Sequence, residues 1–419
     1  MSARKLFTAM LVLGIVFSMG VAAQAAAVNN FFTPSTGDWS VAANWTDVNG
    51  VHALPTYNDY YVVIGSGETD YVYQPASCDF SLTGGGAAVL TVGHSGTGTL
   101  NITDGTLAIK YDYRVGRQQA DWGNATGTVY QSGGAITQDD TGSTRAFALG
   151  WGAGDTGIYN MSGGTVAVKG ALGLVVGIHG YGEYNLSGTG AVTVNRSLWV
   201  AGNDYGYSTG SGSTADSEGY VNQSGGTMTV KDHLYVGYKG TKGGEYNISG
   251  GTLSIDDNVY IGTSTGIGKF EVEDITAMIS WNSSATIGAN GTLSYVASAG
   301  GVSDIALDYA AGTLTVNAAA QLAFDLSAMS TAASDILLID NYGDDAISGV
   351  FANYGEGDTV HTFGDGSYYT LSYVYDAGTD MSAGNDMALV ANPIPEPSTL
   401  ALLAAGLVGL LAYAWRKRK

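Results

Sequence analysis

The sequence predicts an all-β chain built mainly as a parallel β-solenoid, and three observations support this fold class. A unit of about 25 residues recurs, with its clearest copies starting at Gly157, Gly219 and Gly244. Each copy contains three short runs in which apolar and polar residues alternate, which is the period of a β-strand. Glycine is abundant, at 63 of 419 residues, and separates the runs. Copies stacked at ~4.8 Å would pair their backbones from turn to turn, and we expect right-handed winding.

The repeat also predicts where each turn ends. Every unit closes on a glycine, and these closing glycines are Gly93, Gly116, Gly150, Gly177, Gly202, Gly237, Gly262 and Gly288. Insertions at 117–126 and 203–218 interrupt the period at the same corner of the unit. Seven to eight turns would rise roughly 35 Å. Corner glycines such as Gly226 and Gly251 should adopt positive φ, so a larger residue there costs about 1 kcal/mol or more.

The regions that flank the repeats at 89–290 have a different pattern. Residues 28–88 form a predicted N-terminal β cap, in which Trp39 and Trp45 plug the first turn. This paired-tryptophan element resembles the start of bacterial extracellular proteins with autotransporter-type β-strand repeats, and the resemblance implies a scaffold without a catalytic motif. Residues 291–391 contain fading units, which we predict to be degenerate turns followed by an antiparallel C-terminal β cap.

The composition excludes several functional classes. Lys and Arg number 16 against 37 Asp and Glu, a formal net charge of −21 that repels nucleic acid. The single cysteine, Cys78, excludes an intrachain disulfide and a cysteine-rich zinc site. No calcium-binding nonapeptide repeat occurs, and Asp340, Asp344 and Asp345 form only a loose cluster. We therefore expect no metal, no cofactor and no nucleic-acid partner.

Both ends of the chain are typical of processing signals. Arg4 and Lys5 precede an apolar run and a stretch of small residues, which predicts a secretory signal peptide at 1–27. Residues 392–398 form a proline-rich linker. The apolar stretch that follows, with its basic tail, predicts a transmembrane helix at 399–419.

The C-terminal residues resemble a known sorting signal. Pro395, Glu396 and Pro397 precede the apolar stretch, and the chain ends in a basic cluster at Arg416, Lys417, Arg418 and Lys419. This order of parts resembles the PEP-CTERM proteins of Gram-negative bacteria. The resemblance implies recognition by a membrane-embedded exosortase, cleavage near the motif, and transfer from the inner membrane to the cell surface or extracellular matrix, with exopolysaccharide as a further partner. An ordinary C-terminal anchor is the alternative.

No arrangement of residues predicts catalysis. Some parallel β-helices are polysaccharide lyases or hydrolases, which need clustered carboxylates and a basic group where negative charge develops. The acids of the repeats are scattered, at Asp139, Asp140, Asp232, Asp256, Asp257 and Glu271. The histidines His94, His179 and His233 occupy different offsets in their units. We expect no catalytic residue and a structural or adhesive role, with a polysaccharide lyase or hydrolase on the same scaffold as the alternative.

Two columns of like residues follow from the repeat. The asparagines that share one offset should hydrogen-bond along the stack, and they are Asn101, Asn160, Asn185, Asn222 and Asn247. The second column occupies the middle of the third strand, where alternation directs side chains outward, and contains Thr91, Arg114, Ala148, Val175, Trp199, Tyr235, Tyr260 and Thr286.

The aromatic members of the second column are candidate binding residues. Trp199, Tyr235 and Tyr260 lie on three consecutive turns and predict an exposed aromatic stripe. Saccharide rings stack on such surfaces, so the stripe is a candidate glycan contact. Stacking of the rings on one another, or cover by the 203–218 insertion, is the alternative.

Overall fold

The computed structural model contains a parallel β-solenoid of about 8 turns, further strands with antiparallel pairing, and one C-terminal helix. This agrees with the fold class expected from the repeat. The structure describes residues 29–33, 35–47, 49–57, 59, 61–66, 76–80, 83–117, 124–139, 145–202, 217–263, 265–308, 312–343, 345–378, 384–394 and 397–417. The expected signal peptide at 1–27 lies outside these residues and stays a prediction.

Each turn contributes one strand to each of three parallel stacks. The first stack contains β2 (Thr36–Asp38), β5 (Ala76–Phe80), β8 (Thr97–Ile102), β11 (Thr126–Gln131), β14 (Thr156–Met161), β17 (Tyr181–Leu186), β24 (Gly268–Glu273), β27 (Gly291–Val296) and β30 (Gln321–Asp325). The second contains β6 (Thr83–Ala87), β9 (Thr106–Ile109), β12 (Ala135–Gln138), β15 (Thr165–Val168), β18 (Ala191–Val194), β25 (Ala277–Trp281), β28 (Ile305–Leu307) and β31 (Ile336–Asn341). Two long strands, β20 (Glu218–Val230) and β22 (Gly243–Ile255), pass through both stacks.

The third stack begins at the N-terminal end of the described chain. Its strands are β1 (Asn29–Phe32), β3 (Trp45–Asp47), β4 (Tyr61–Ser66), β7 (Leu90–His94), β10 (Tyr113–Arg117), β13 (Ala146–Leu149), β16 (Gly173–Val176), β19 (Leu198–Val200), β21 (Leu234–Val236), β23 (Val259–Ile261), β26 (Ala285–Ile287) and β29 (Leu314–Val316). All neighbours in this stack pair in parallel except β1 and β3, which are antiparallel and are joined in part by a 3-10 turn at Ala42–Asn44.

The alternation of apolar and polar residues places the core inside the coil. In β22, Tyr246 and Ile248 are buried, whereas Glu245 and Asn247, which alternate with them, face outward. The register aligns equivalent residues of successive repeats, so that Asn222 of β20 lies beside Asn247. The inward side chains of all three stacks form one continuous hydrophobic core. Burial of this shared core is what stabilises strands that could not form a core within one turn.

The closing glycines form the corners of the coil. All of them from Gly93 to Gly262 have positive φ, between 62° and 87°, as the sequence predicts. Gly288 differs, because its φ is not positive, yet an added Cβ would lie 1.7 Å from the carbonyl oxygen of Gly262. Gly226 and Gly251, at the other corner, have φ of 68° and 84°. Glycine is therefore required for both conformation and space at corners such as Gly251, and for space alone at Gly288.

The region before the repeats contains buried aromatic contacts, and the region after them contains antiparallel strand pairs. Trp39 and Trp45 are fully buried, their rings lie 4.7 Å apart, and the Trp45 indole N–H donates to the carbonyl oxygen of Trp39 over 2.9 Å. At the other end, β31 pairs with β34 (Asp386–Asn392), β34 with β33 (Tyr368–Tyr375), and β33 with β32 (Thr359–Thr362), all antiparallel. The role of these regions as caps and the winding sense stay predictions.

The chain continues into a 20-residue helix, α1 (Pro397–Arg416). Its apolar side chains are exposed, with Leu402 73% and Trp415 76% accessible. Within the described part of the chain, no helix is both long and apolar enough to cross a membrane. The expected transmembrane helix at 399–419 is corrected accordingly to a C-terminal apolar helix.

Candidate functional site

The outward column of the third stack is aligned as the repeat predicts. Successive register partners are Thr91, Arg114, Ala148, Val175, Trp199, Tyr235, Tyr260 and Thr286. The neighbouring residues in each strand belong to the central core, whereas none of these eight does. The column therefore follows the outer side of the coil, one residue per turn.

The three aromatic residues of the column stack on one another. The rings of Trp199 and Tyr235 are 4.0 Å apart at 9°, and those of Tyr235 and Tyr260 are 4.9 Å apart at 8°. Tyr238 packs edge-on against both Trp199 and Tyr235, at 5.1 Å and 5.3 Å. The three rings thus form one stack with nearly parallel planes, and Tyr260 is the last ring of the stack.

The exposure of the stripe differs from the sequence-based expectation at one position. Trp199 is only 5% accessible, whereas Tyr235 and Tyr260 are partly exposed. The Trp199 ring belongs to a second hydrophobic cluster on the outer side of the stack, which contains Ala146, Ala148, Trp151, Leu172, Val175 and Ile178. Trp151 and Ile178 directly follow closing glycines, so the positive-φ corners turn them back over the strand. The partly exposed rings of the stripe are therefore those of Tyr235 and Tyr260.

A histidine between two carboxylates borders these rings. His233 lies edge-on to Tyr235 and Tyr260, at 5.7 Å and 5.9 Å between ring centroids. Its Nε2 is 3.4 Å from an oxygen of Asp232, and its Nδ1 is 3.5 Å from an oxygen of Asp257. The other Asp257 oxygen accepts the Asn258 backbone N–H at 2.9 Å. One ligand atom from each of the three residues lies within 4.8 Å of the others, a set that could hold a divalent cation.

Sequence reasoning treated Asp232, Asp257 and His233 as scattered and missed this cluster. The usable signal was the spacing of 25 residues between the two aspartates, which equals the repeat period and places them on adjacent turns. The same spacing relates Lys231 to Asp256, whose side chains form an ion pair of 2.8 Å. A comparison of positions one repeat period apart, including positions with different residue types, predicts both the Asp232–Asp257 proximity and the Lys231–Asp256 ion pair.

The asparagine column is largely confirmed as a hydrogen-bonded ladder. Asn185 donates to Asn160 over 2.9 Å, Asn222 to Asn185 over 2.8 Å, and Asn247 to Asn222 over 3.0 Å. Asn101 is separated from this ladder by Tyr130, which occupies the intervening turn. The expected column is thus correct, and its continuous part spans four turns on the outer side of the first stack.

Other acids of the first stack are bridged by a lysine. The Lys269 ammonium lies 2.7 Å from both Glu245 and Glu271. Burial opposes its charge, but hydrogen bonds to the two carboxylates raise the pKa of Lys269. Burial, then the charge of Glu271, raises the pKa of Glu273. Asp139 is likewise paired, with Lys169 at 3.0 Å, whereas Asp140 lies outside the described residues.

The expected sorting residues lie around α1. Pro397 is the first residue of the helix, Arg416 is its last, and Lys417 follows in a turn. Pro395, Glu396, Arg418 and Lys419 lie outside the described residues. A short linker joins the end of β34, at Asn392, to the start of α1, at Pro397.

Comparison with known proteins identifies this C-terminal segment. Neither the curated proteins nor the solved structures contain a match to the chain. Residues 393–419 match the PEP-CTERM protein-sorting motif. The chain therefore carries a PEP-CTERM sorting signal, which marks it as an exported protein sorted by an exosortase.

Proposed function

We propose that the exported chain is a structural and adhesive protein of the cell surface or extracellular matrix, and that it contacts exopolysaccharide through Tyr235 and Tyr260. The single observation that carries the proposal is the stacked ring column of Trp199, Tyr235 and Tyr260. Sugar rings present flat C–H faces that pack on aromatic faces, and a fixed ring loses little conformational entropy on binding.

Polar groups beside the rings support the same function. Asp232, His233 and Asp257 lie at the edge of the ring column and provide acceptors for sugar hydroxyls. The repeat spacing of ~4.8 Å is also close to the length of one sugar unit, so that successive turns can present equivalent contacts to a polymer. A long, regular surface of this kind favours retention of a polymer over binding of a small molecule.

The test mixes the full chain, in mild detergent because of its apolar helix, with exopolysaccharide from the producing organism. Size-exclusion chromatography then follows both protein and polymer. We expect the wild-type chain to travel with the polymer, and the double variant Tyr235→Ala, Tyr260→Ala to bind roughly tenfold more weakly, since aromatic contacts contribute about 0.5–1.5 kcal/mol each. Tyr130→Ala is the matched control, because Tyr130 is a 51% exposed outward tyrosine on another face. Equal retention of the double variant and the wild type contradicts the proposal.

Polysaccharide cleavage is a second candidate function, favoured by the Asp232, His233 and Asp257 cluster beside the rings. An imidazole close to carboxylates can transfer protons to or from a sugar. The same chromatography tests it, because cleavage shortens the polymer. If the wild-type chain shortens the polymer and the His233→Gln variant does not, the enzyme is favoured. If the wild-type chain leaves the length of the polymer unchanged, the binding protein is favoured.

A further inference from the structure

The corner between the second and third stacks brings two aspartates together on adjacent turns. The strands on both sides of this corner pair in register, β20 with β22 before it and β21 with β23 after it. Asp232 and Asp257 occupy equivalent positions in the corner, and His233 directly follows Asp232. One ligand atom from each of the three residues lies within 4.8 Å of the others. Because paired strands hold both turns, the group is positioned before any ligand arrives.

The three side chains can be reached by an ion from solvent. Asp232 is 32% accessible, His233 is 26% accessible and Asp257 is 43% accessible. The oxygen of each aspartate that faces away from the imidazole is held by the protein. The Ser197 hydroxyl donates to Asp232 over 3.4 Å, and the Asn258 backbone N–H donates to Asp257 over 2.9 Å. Hydrogen bonds of this kind orient the carboxylates of metal sites.

The two carboxylates need a positive charge between them. In the part of the chain that the structure describes, neither aspartate has a lysine or an arginine within ion-pair distance. Lys231, which precedes Asp232, is paired with Asp256 at 2.8 Å. Carboxylate oxygens within 4.8 Å of each other repel, and either a proton on the His233 imidazole or a bound cation can offset that repulsion.

The distances favour a bound cation over a protonated imidazole. A charged imidazole that donates to a carboxylate lies about 2.8 Å from it. The Nε2 of His233 is instead 3.4 Å from Asp232, and its Nδ1 is 3.5 Å from Asp257 and makes no hydrogen bond. Two ligand atoms on a tetrahedral zinc ion, with bonds of about 2.1 Å, lie about 3.4 Å apart. The separation of Nε2 from the Asp232 oxygen therefore suits two ligands of one ion.

We propose that Asp232, His233 and Asp257 bind a divalent transition-metal ion, and that zinc is the ion that this donor set suits best. One imidazole nitrogen with two carboxylate oxygens is a zinc-type set, whereas calcium and magnesium take oxygen ligands. The sequence pattern led to the expectation of no metal because it treats these three residues as scattered. The register of the solenoid turns brings them together.

The ion borders the aromatic rings and has room for one more ligand. Three protein ligands leave one position of a tetrahedral zinc ion open. The His233 ring lies 5.7 Å from the Tyr235 ring and 5.9 Å from the Tyr260 ring. A hydroxyl or carboxylate of a sugar packed on those rings can complete the coordination. Only this fourth ligand rests on the proposed function, because the ion site itself uses neither tyrosine.

The first test is isothermal titration of the full chain with zinc chloride, in mild detergent, after metal has been removed with a chelator and the chelator by dialysis. We expect saturable binding by the wild type and at least tenfold weaker binding by Asp257→Asn and by His233→Gln. Asp256→Asn and His361→Gln are the matched controls, because they replace an exposed aspartate of the same corner and an exposed histidine of β32. Both controls should bind zinc as the wild type does, and circular dichroism checks the fold of every variant.

Thermal unfolding separates a metal ligand from a residue with a structural role. An ion that binds the folded state raises the unfolding midpoint. Zinc should therefore raise the midpoint of the wild type and of both controls, and should leave that of His233→Gln unchanged. If His233 only bridges the aspartates as a charged imidazole, His233→Gln lowers the midpoint while zinc has no effect on the wild type, and the proposal is overturned.

The outcomes also separate this proposal from the previous one. The zinc titration contains no sugar, so it decides the ion site even if the chain does not retain the polymer. The site is overturned if the wild type does not bind zinc, if it binds calcium but not zinc, or if Asp257→Asn and His233→Gln bind zinc as tightly as Asp256→Asn. Polymer retention that a chelator removes and zinc restores supports a sugar as the fourth ligand. Retention that is equal with and without the chelator overturns that assignment.

Discussion

At the residue scale, the corner glycines of the solenoid are constrained in two separable ways. Gly251 has φ of 84°, and an added Cβ would lie 2.4 Å from the carbonyl oxygen of Gly226. Gly357 has a similar φ of 79° but nothing within 4 Å of an added Cβ. Gly364 also has open space and lacks positive φ. The cost of a left-handed backbone and the cost of contact with a neighbouring turn can therefore be measured in separate variants.

Alanine at these three glycines should produce a graded loss of stability. Gly364→Ala should change the free energy of unfolding by less than about 0.5 kcal/mol. Gly357→Ala should cost about 1 kcal/mol for the left-handed backbone, and Gly251→Ala about 3 kcal/mol, because the neighbouring turn must also move. Urea unfolding midpoints of the three variants give the order. A midpoint for Gly251→Ala equal to that of Gly357→Ala would mean that the neighbouring turn does not restrict the corner.

At the scale of strands, the asparagine ladder links β14, β17, β20 and β22 across their outer side. Asn222 makes two ladder hydrogen bonds, one to Asn185 and one from Asn247, whereas Asn247 makes one. At about 1 kcal/mol per hydrogen bond, Asn222→Ala should destabilise the fold by about 2 kcal/mol and Asn247→Ala by about 1 kcal/mol. Thermal unfolding measures the difference, with Thr229→Ala as the control for shortening an outward polar side chain of β20. Equal effects of the two asparagine variants would show that the ladder bonds are not additive.

The strands also show which contacts sequence can predict. Register follows from the repeat, so the asparagine column and the outward column through Trp199 were predictable position by position. The burial of Trp199 was not, because the outer cluster to which it belongs includes Trp151 and Ile178, which come from corners where alternation gives no direction.

At the scale of the whole molecule, the chain combines a buried solenoid core with a helix that exposes its apolar residues. Leu402, Leu403 and Trp415 of α1 are each more than 70% accessible, so burial against the solenoid does not stabilise them. An exposed apolar patch of this kind marks an interaction surface. The helix lies within the segment that matches the PEP-CTERM protein-sorting motif, residues 393–419.

The sorting signal predicts how the whole molecule is distributed in the producing cells. Replacement of Pro395, Glu396 and Pro397 by alanine should remove exosortase recognition while leaving the solenoid unchanged, because the strands end at Asn392. We expect surface biotinylation of intact cells to label the wild-type chain and to label the triple variant at least several-fold less, at equal total protein. Pro393→Ala is the matched control, since it removes a proline of the same linker outside the Pro-Glu-Pro motif. Unchanged labelling of the triple variant would mean that the apolar helix and the basic tail are sufficient for sorting, and that the Pro-Glu-Pro residues do not contribute to recognition.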